Sequence, residues 1–177
     1  MRRLLFESVF RRPLTERAPS PDDAAVAELA TALGKASRRR LGRSLSIRAV
    51  DAGSCNGCEL EIHALNNAYY DVERFGLRFV ASPRHADVLM VTGPVTKNMR
   101  EALLRTYQAT PDPKWVIALG TCAVDGGLFA GSNAVVGGVS DVVPVDLHIR
   151  GCPPSPSQIL KGLISLLEHV SSKSGIF

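Results

Sequence analysis

Long apolar runs are missing from this chain. No uncharged apolar stretch approaches the about 20 residues a bilayer-spanning helix needs, so the chain is not expected to cross a membrane by itself. The opening stretch MRRLLFESVFRRPLTERAP carries arginine pairs, but Glu7 and Arg11–Arg12 interrupt its apolar residues. A secretory or twin-arginine signal needs that run unbroken, so the expected location is cytoplasmic. Aromatic residues are only 6% of the composition, and none accompanies the basic stretch RRRLGR, where nucleic-acid binding would call for stacking partners. No nucleic-acid partner is expected. Cysteine is scarce too, with four in 177 residues, and without a secretory signal a disulfide scaffold is not expected. Internal repeats and low-complexity blocks are also absent.

What is present is ordinary globular material. Hydrophobic residues make up 45% and charged residues 21%, in a length that suits one domain with one core. The net charge of +4 is unevenly distributed: residues 1–45 carry ten Lys/Arg against five Asp/Glu, and residues 46–177 carry eleven against twelve. Residues 1–44 are therefore expected to form a basic, partly helical N-terminal extension of a near-neutral domain over residues 45–177. Such an arm suits an acidic partner subunit or anionic lipid, or is simply a solvated tail. Within it, SPDDAAVAELATALGKASRRR predicts an amphipathic helix. Ser20 is placed to cap it, Pro21 and Asp22–Asp23 suit its first turn, and Val26, Leu29 and Leu33 share one face. LLFESVF predicts a short amphipathic segment before it.

From residue 45 strands and helices alternate. SLSIRAV, LRFVAS, ADVLMVTG, KWVIALG and VVPVDLHI predict strands, and the nearly continuous apolar run of ADVLMVTG suits a strand covered on both faces. GCELEIHALNNAYYDVERFG predicts a helix with Leu60, Ala64/Leu65 and Ala68 inward. PVTKNMREALLRTYQ predicts a second helix with Pro94 at its start, and SPSQILKGLISLLEHV a closing one capped by Ser155 or Ser157. The pattern predicts an α/β fold: a flavodoxin-like parallel sheet flanked by helices, in strand order 2-1-3-4-5, with the N-terminal helical extension added.

Every cysteine follows a predicted strand. Cys55 and Cys58 in DAGSCNGCELEIH come after the first, Cys122 in LGTCAVDGG after KWVIALG, and Cys152 in IRGCPPSPSQ after VVPVDLHI. In a parallel sheet all carboxyl ends point to one rim, where ligands bind. Separations of 63 and 29 intervening residues thus collapse into one expected metal site. Structural zinc usually takes two C-x2-C knuckles, whereas this chain has one knuckle and two singles. An iron–sulfur cluster accepts that spacing, and the expected cofactor is one [4Fe–4S] cluster on Cys55, Cys58, Cys122 and Cys152. Gly53, Gly57, Gly120, Gly126, Gly127 and Gly151 are expected to let backbone N–H groups approach the sulfides, and Pro153–Pro154 to stiffen the last turn. Flavin is disfavoured because the first loop offers thiols in place of phosphate-cradling hydroxyls.

These same motifs carry a resemblance. CNGCE, GTCAVDGG and GCPPSP, with ERFGLRFVASPRHADVLMVTGPVT, PDPKWVIALG and VPVDLHIRGCPP, resemble the small subunit of membrane-bound, energy-converting [NiFe] hydrogenases of the formate hydrogenlyase type. They also resemble the 20-kDa-type cluster subunit of NADH:quinone oxidoreductase. The likeness covers about residues 45–170. The quinone-linked subunit has tandem cysteines at the first ligand pair, at the positions of Gly57 and Cys58, while this chain keeps C-x-x-C in the hydrogenase manner. The resemblance implies an electron-transfer subunit, inactive alone, whose single proximal cluster serves the nickel–iron site of a partner large subunit. It also implies a ferredoxin-like polyferredoxin subunit, integral membrane subunits, and a peripheral place on the cytoplasmic face of the inner membrane. The equivalent subunit of a quinone reductase or of a nickel-free complex stays open, as does a zinc-stabilised scaffold.

No catalytic residue is expected in this chain. Glu61 matches an acidic position of the quinone-linked relative, which implies a proton-path role; the alternative is a charge facing an arginine across a subunit boundary. Glu59 and Glu61 point apart on a helix and form no acid–base pair. Asp71, Arg74, Arg84, His85 and Asp87 lie in matching motifs, with His85 expected to be a structural hydrogen-bonder. His63, His148 and His169 show no metal-binding pattern, and Trp115 and the aromatics of NNAYYD are expected to pack.

Overall fold

The computed structural model describes residues 23–173. LLFESVF and the expected cap at Ser20 lie outside the described residues. The elements are, in order, α1 (Asp23–Leu41), β1 (Leu45–Asp51), α2 (Gly57–Ala64), β2 (Leu77–Phe79), β3 (Val88–Thr92), β4 (Val95–Thr96), α3 (Lys97–Ala109), β5 (Trp115–Leu119), α4 (Thr121–Asp125), β6 (Val135–Gly137), β7 (Leu147–Ile149) and α5 (Pro156–Lys173).

β1, β2, β3, β5 and β7 form a parallel sheet in the order β2-β1-β3-β5-β7. Counted within that sheet, this is the 2-1-3-4-5 arrangement the alternation predicts. β3 lies at its centre with all five positions buried, as its unbroken apolar run requires. Val88 and Met90 join the core on one face with Leu45, Ile47 and Ile117, under α1, α2 and α5. Leu89 and Val91 join the other with Val116 and Ala118, under α3 and α4. Burying each such side chain favours the fold by about 1.5–3 kcal/mol.

α1 packs on the sheet's first core. Leu33 is fully buried in the first core, and α1 runs against α5. Gly34 explains how closely it approaches: a Cβ there would lie 2.3 Å from the Phe75 carbonyl oxygen. Near the end of α1, Ser37 Oγ donates to the Arg43 carbonyl at 3.0 Å, and Arg43 Nη1 donates to Asp87 Oδ2 at 3.0 Å. Asp87 is itself buried and also accepts from Ser46 N at 2.9 Å, which fixes the start of β3 against β1.

Several boundaries differ from the sequence pattern. The helix expected over residues 57–76 stops at Ala64, because Asn67 Oδ1 accepts from the backbone of Tyr69 and Tyr70 at 2.9 and 3.0 Å. That side-chain-to-backbone turn competes with helix continuation. Asp71 then adopts φ 42°, and a 3-10 turn at Val72–Phe75 leads into β2. Ile62 and Leu65 therefore face inward, while Leu60 is 60% exposed and Ala68 is exposed, correcting the expected inward face. Pro94 precedes α3 by three residues, since Val95–Thr96 first pairs antiparallel with β6. Only Leu147–Ile149 of VVPVDLHI is strand, because Val139–Asp141 forms a 3-10 turn and Val143 turns into the second core. The expected strand LRFVAS narrows to Leu77–Phe79.

Candidate metal centre

All four cysteines are free and follow the carboxyl ends of β1, β5 and β7. The β1 turn is built by Asp51, whose Oδ1 accepts from the backbone of Gly53 and Ser54, each at 2.7 Å. Ser54 Oγ accepts from Asn56 N at 3.0 Å, and Asn56 takes a left-handed φ of 71°, which turns the chain from Cys55 into α2. Cys58 lies in the first turn of α2 and is half-buried, whereas Cys55 is exposed.

The β5 and β7 turns are stitched together. Gly120 N donates to the Ile149 carbonyl and Thr121 N to the Gly151 carbonyl, both at 2.8 Å, and Thr121 Oγ1 donates to the latter at 3.1 Å. Arg150 Nη1 donates to Asp125 Oδ2 at 3.0 Å, while Asp125 Oδ1 accepts from Gly127 N at 2.9 Å. That N–H and the arginine hold the Asp125 carboxyl below its usual range. Cys122 and Cys152, 30 residues apart in sequence, are thereby brought near enough for Cys152 to act electrostatically on Cys122.

The glycines divide into two kinds. A Cβ at Gly120 would lie 2.6 Å from Cys58 Sγ and one at Gly127 2.8 Å from Cys122 Sγ, and both residues have positive φ. These two allow backbone to touch sulfur, as does Leu128, whose backbone N–H donates to Cys122. A Cβ at Gly57 would lie at an ordinary 3.6 Å from Cys55 Sγ, while the nearest neighbours of Gly53, Gly126 and Gly151 are Thr96, Ala130 and Pro154, so these three shape the turns.

The thiols share one electrostatic environment. Burial, then Glu59, then Cys55, Cys122 and Cys152 push Cys58 up to about 12. Cys122 is raised by burial, partly offset by the Leu128 N–H, with Cys152 and Cys55 adding to the rise. These shifts keep the thiols protonated, because thiolates formed together here would repel one another; a cationic metal core would relieve that repulsion. Among the described residues no three of His, Cys, Asp or Glu stand close enough to share a single ion.

Thr92 Oγ1, at the end of β3, donates to Glu59 Oε1, and Glu59 Oε2 is buried without a partner. Glu61 is half-buried, with no hydrogen bond or ion pair among the described residues. His63 and His85 are exposed, His148 Nε2 meets Ser140 Oγ at 3.2 Å, and the His169 side chain is outside the described set. Trp115 and Tyr70 pack against the first core. The sequence pattern missed Asp51, Thr121, Asp125 and Arg150. The D-x-G-S order flags the Asp51 turn, but nothing local pairs Asp125 with Arg150. Two apolar groups stand exposed by the thiols: Leu60, two residues after Cys58, and Leu128 and Phe129, the former 91% exposed.

Formate hydrogenlyase subunit 7 of Escherichia coli is 43% identical over 155 residues, 88% of this chain, which spans 59% of that protein. The probable membrane-bound hydrogenase subunit mbhJ of Pyrococcus furiosus is 47% identical over 74% of this chain and 78% of its own length. A chain in the structure of the membrane-bound sulfane sulfur reductase, an archaeal respiratory membrane complex, superposes with a TM-score of 0.66 at 33% identity, covering 81% of this chain and 77% of its own. These relatives are subunits of oxidoreductase complexes. Residues 55–166 match the family described as NADH ubiquinone oxidoreductase, 20 kDa subunit, and the chain belongs to that family.

Proposed function

We propose that this chain is the electron-relay subunit of a membrane-associated [NiFe]-hydrogenase-type complex and carries one [4Fe–4S] cluster on Cys55, Cys58, Cys122 and Cys152. The observation that carries the reading is that four free thiols follow three strand ends of one parallel sheet, near enough for Cys55, Cys122 and Cys152 each to act on Cys58. Cysteine thiolates are the ordinary holders of such a cluster, which supplies one-electron transfer when bound. The chain's own part is positional. Gly120 and Gly127 bring backbone against Cys58 and Cys122, the Leu128 N–H donates to sulfur, and Thr121, Asp125 and Arg150 fix the later two turns.

Residues 45–177 form the cluster-bearing domain, with residues 1–44 as its basic extension. Leu60, Leu128 and Phe129 give the thiol rim an apolar border suited to a large subunit holding nickel and iron. A polyferredoxin subunit exchanges electrons with the cluster, and integral membrane subunits hold the assembly on the cytoplasmic face of the inner membrane. Among the described residues no helix is long and apolar enough to cross a membrane. Glu61 serves as a proton-path residue at the large-subunit boundary.

Anaerobic co-purification with the large subunit tests this. The expected result is a brown complex that evolves or oxidises hydrogen and loses both colour and activity in Cys122→Ala. A colourless, zinc-loaded, folded chain would overturn it. The family description favours a second reading, the equivalent subunit of a quinone reductase. Two C-x-x-C pairs in the large subunit select hydrogenase, and their absence selects the quinone-linked or nickel-free complex.

A further inference from the structure

Away from the thiol rim, one strip of the sheet lacks the helix its topology calls for. Parallel strands of one α/β sheet are usually joined by a crossover of a dozen or more residues containing a helix, and β2 and β3, which flank β1, are such strands. Residues 80–87, between β2 and β3, contain only the short turn Pro83–His85, and that turn packs against α3. The α3 side of β1 and β2 is therefore roofed by side chains. Arg48 pairs in register with Leu89, which faces that side, and Ser46 pairs with Arg78.

Arginines make up this roof. Arg78 is exposed and its Nε donates to Ser46 Oγ at 3.0 Å. Arg43 is engaged by Asp87, the one carboxylate these side chains meet among the described residues. Arg48 has no acidic partner there, and its Nε is buried without an acceptor. A guanidinium so placed carries a desolvation cost that a carboxylate, accepting two parallel N–H bonds, would relieve.

We propose that this strip is a second docking surface, distinct from the thiol rim, and that it takes a segment of a partner subunit rich in Asp and Glu, with Arg48 and Arg78 gripping its carboxylates. Residues 1–22 and 174–177 are poorly suited to fill it. Residues 1–22 carry five arginines against three acidic residues, and residues 174–177 are SGIF, with no acidic side chain. A lipid surface is disfavoured because none of the large exposed hydrophobic side chains (Leu60, Tyr69, Leu128, Phe129, Val136) belongs to β1, β2 or residues 80–87, leaving nothing to insert into a bilayer.

The test places the photo-cross-linker p-benzoylphenylalanine at position 78 of the full chain assembled with its native partner subunits. Cross-links are expected in one acidic segment of one partner. Arg48→Glu with Arg78→Glu is expected to lower the yield of assembled complex about tenfold or more, and reversing carboxylates of the cross-linked segment to arginine should restore it. Iron content of the charge-reversed chain, measured in parallel, is expected to match wild type, which separates failure here from failure of the cluster reading. Should Arg48→Glu misfold by circular dichroism, Arg78→Glu alone decides, since Arg78 is exposed. Wild-type assembly yield with charge-reversed chain, cross-links to a segment without acidic residues, or phosphatidylglycerol-vesicle binding that Arg78→Glu abolishes would each overturn the proposal.

Discussion

The apolar slab of the sheet and the thiol rim above it are built on opposite terms. The slab is redundant: β3 is buried along its whole length, and two cores of many side chains share the burden of cohesion. The rim has little apolar mass and relies on single contacts, such as Thr121 to Gly151, Arg150 to Asp125, and two glycines against two sulfurs. The difference teaches that the fold does not need the rim's chemistry, while the rim's chemistry needs the fold. Slab variants should lose fold and cofactor together, and rim variants should lose the cofactor and keep the fold.

The sharpest separation comes from Cys122→Ala. It is expected to remove essentially all cluster colour and EPR signal while leaving the far-ultraviolet circular dichroism unchanged. Loss of helical signal alongside colour would erase the distinction between the regions. Next is Met90→Ala in the centre of the slab, expected to destabilise by about 2–5 kcal/mol in urea unfolding and to reduce cofactor content only in proportion to unfolded chain. Cluster loss from a fully folded Met90→Ala chain would contradict the account.

Gly120→Ala probes the contact between the regions. Its Cβ would stand 2.6 Å from Cys58 Sγ at a φ of 90°, so cluster retention should fall several-fold in iron analysis at a cost of about 1–3 kcal/mol in stability. A smaller effect is expected from pH. In the iron-free chain burial holds Cys58 protonated up to about 12, against an ordinary value of 9.0. The folded state thus binds a proton that the unfolded chain releases earlier. The stability this provides is present below pH 9 and lost as pH climbs toward 12. Cys58→Ala should flatten that part of the wild-type stability profile, and parallel profiles would show that the thiol environment is misjudged. The smallest effect is expected for Asp125→Asn. Its exposed ion pair contributes little to stability, so unfolding midpoints should barely move, while cluster loss under air should quicken measurably.

The slab was legible because period and run length speak for themselves. The short apolar run of ADVLMVTG suits a strand covered on both sides, and the order of alternation led to the 2-1-3-4-5 sheet. The positions of the cysteines after strands were legible for the same topological reason. What the pattern did not reveal depends on partners distant in sequence or on side chains competing with backbone. Asn67 ended α2 through its own amide oxygen, β4 found β6 about 40 residues later, and Asp125 found Arg150 across 25. The inward placement of Leu60 failed because helix periodicity was carried past that break, and the residue instead stands exposed beside the thiols.

The most direct test of the central claim is Mössbauer spectroscopy with iron and acid-labile sulfide analysis on the full chain purified without oxygen. The account predicts about four irons and four sulfides per chain in a single [4Fe–4S] spectrum. One zinc or iron ion per chain, with no labile sulfide in a folded sample, would contradict it.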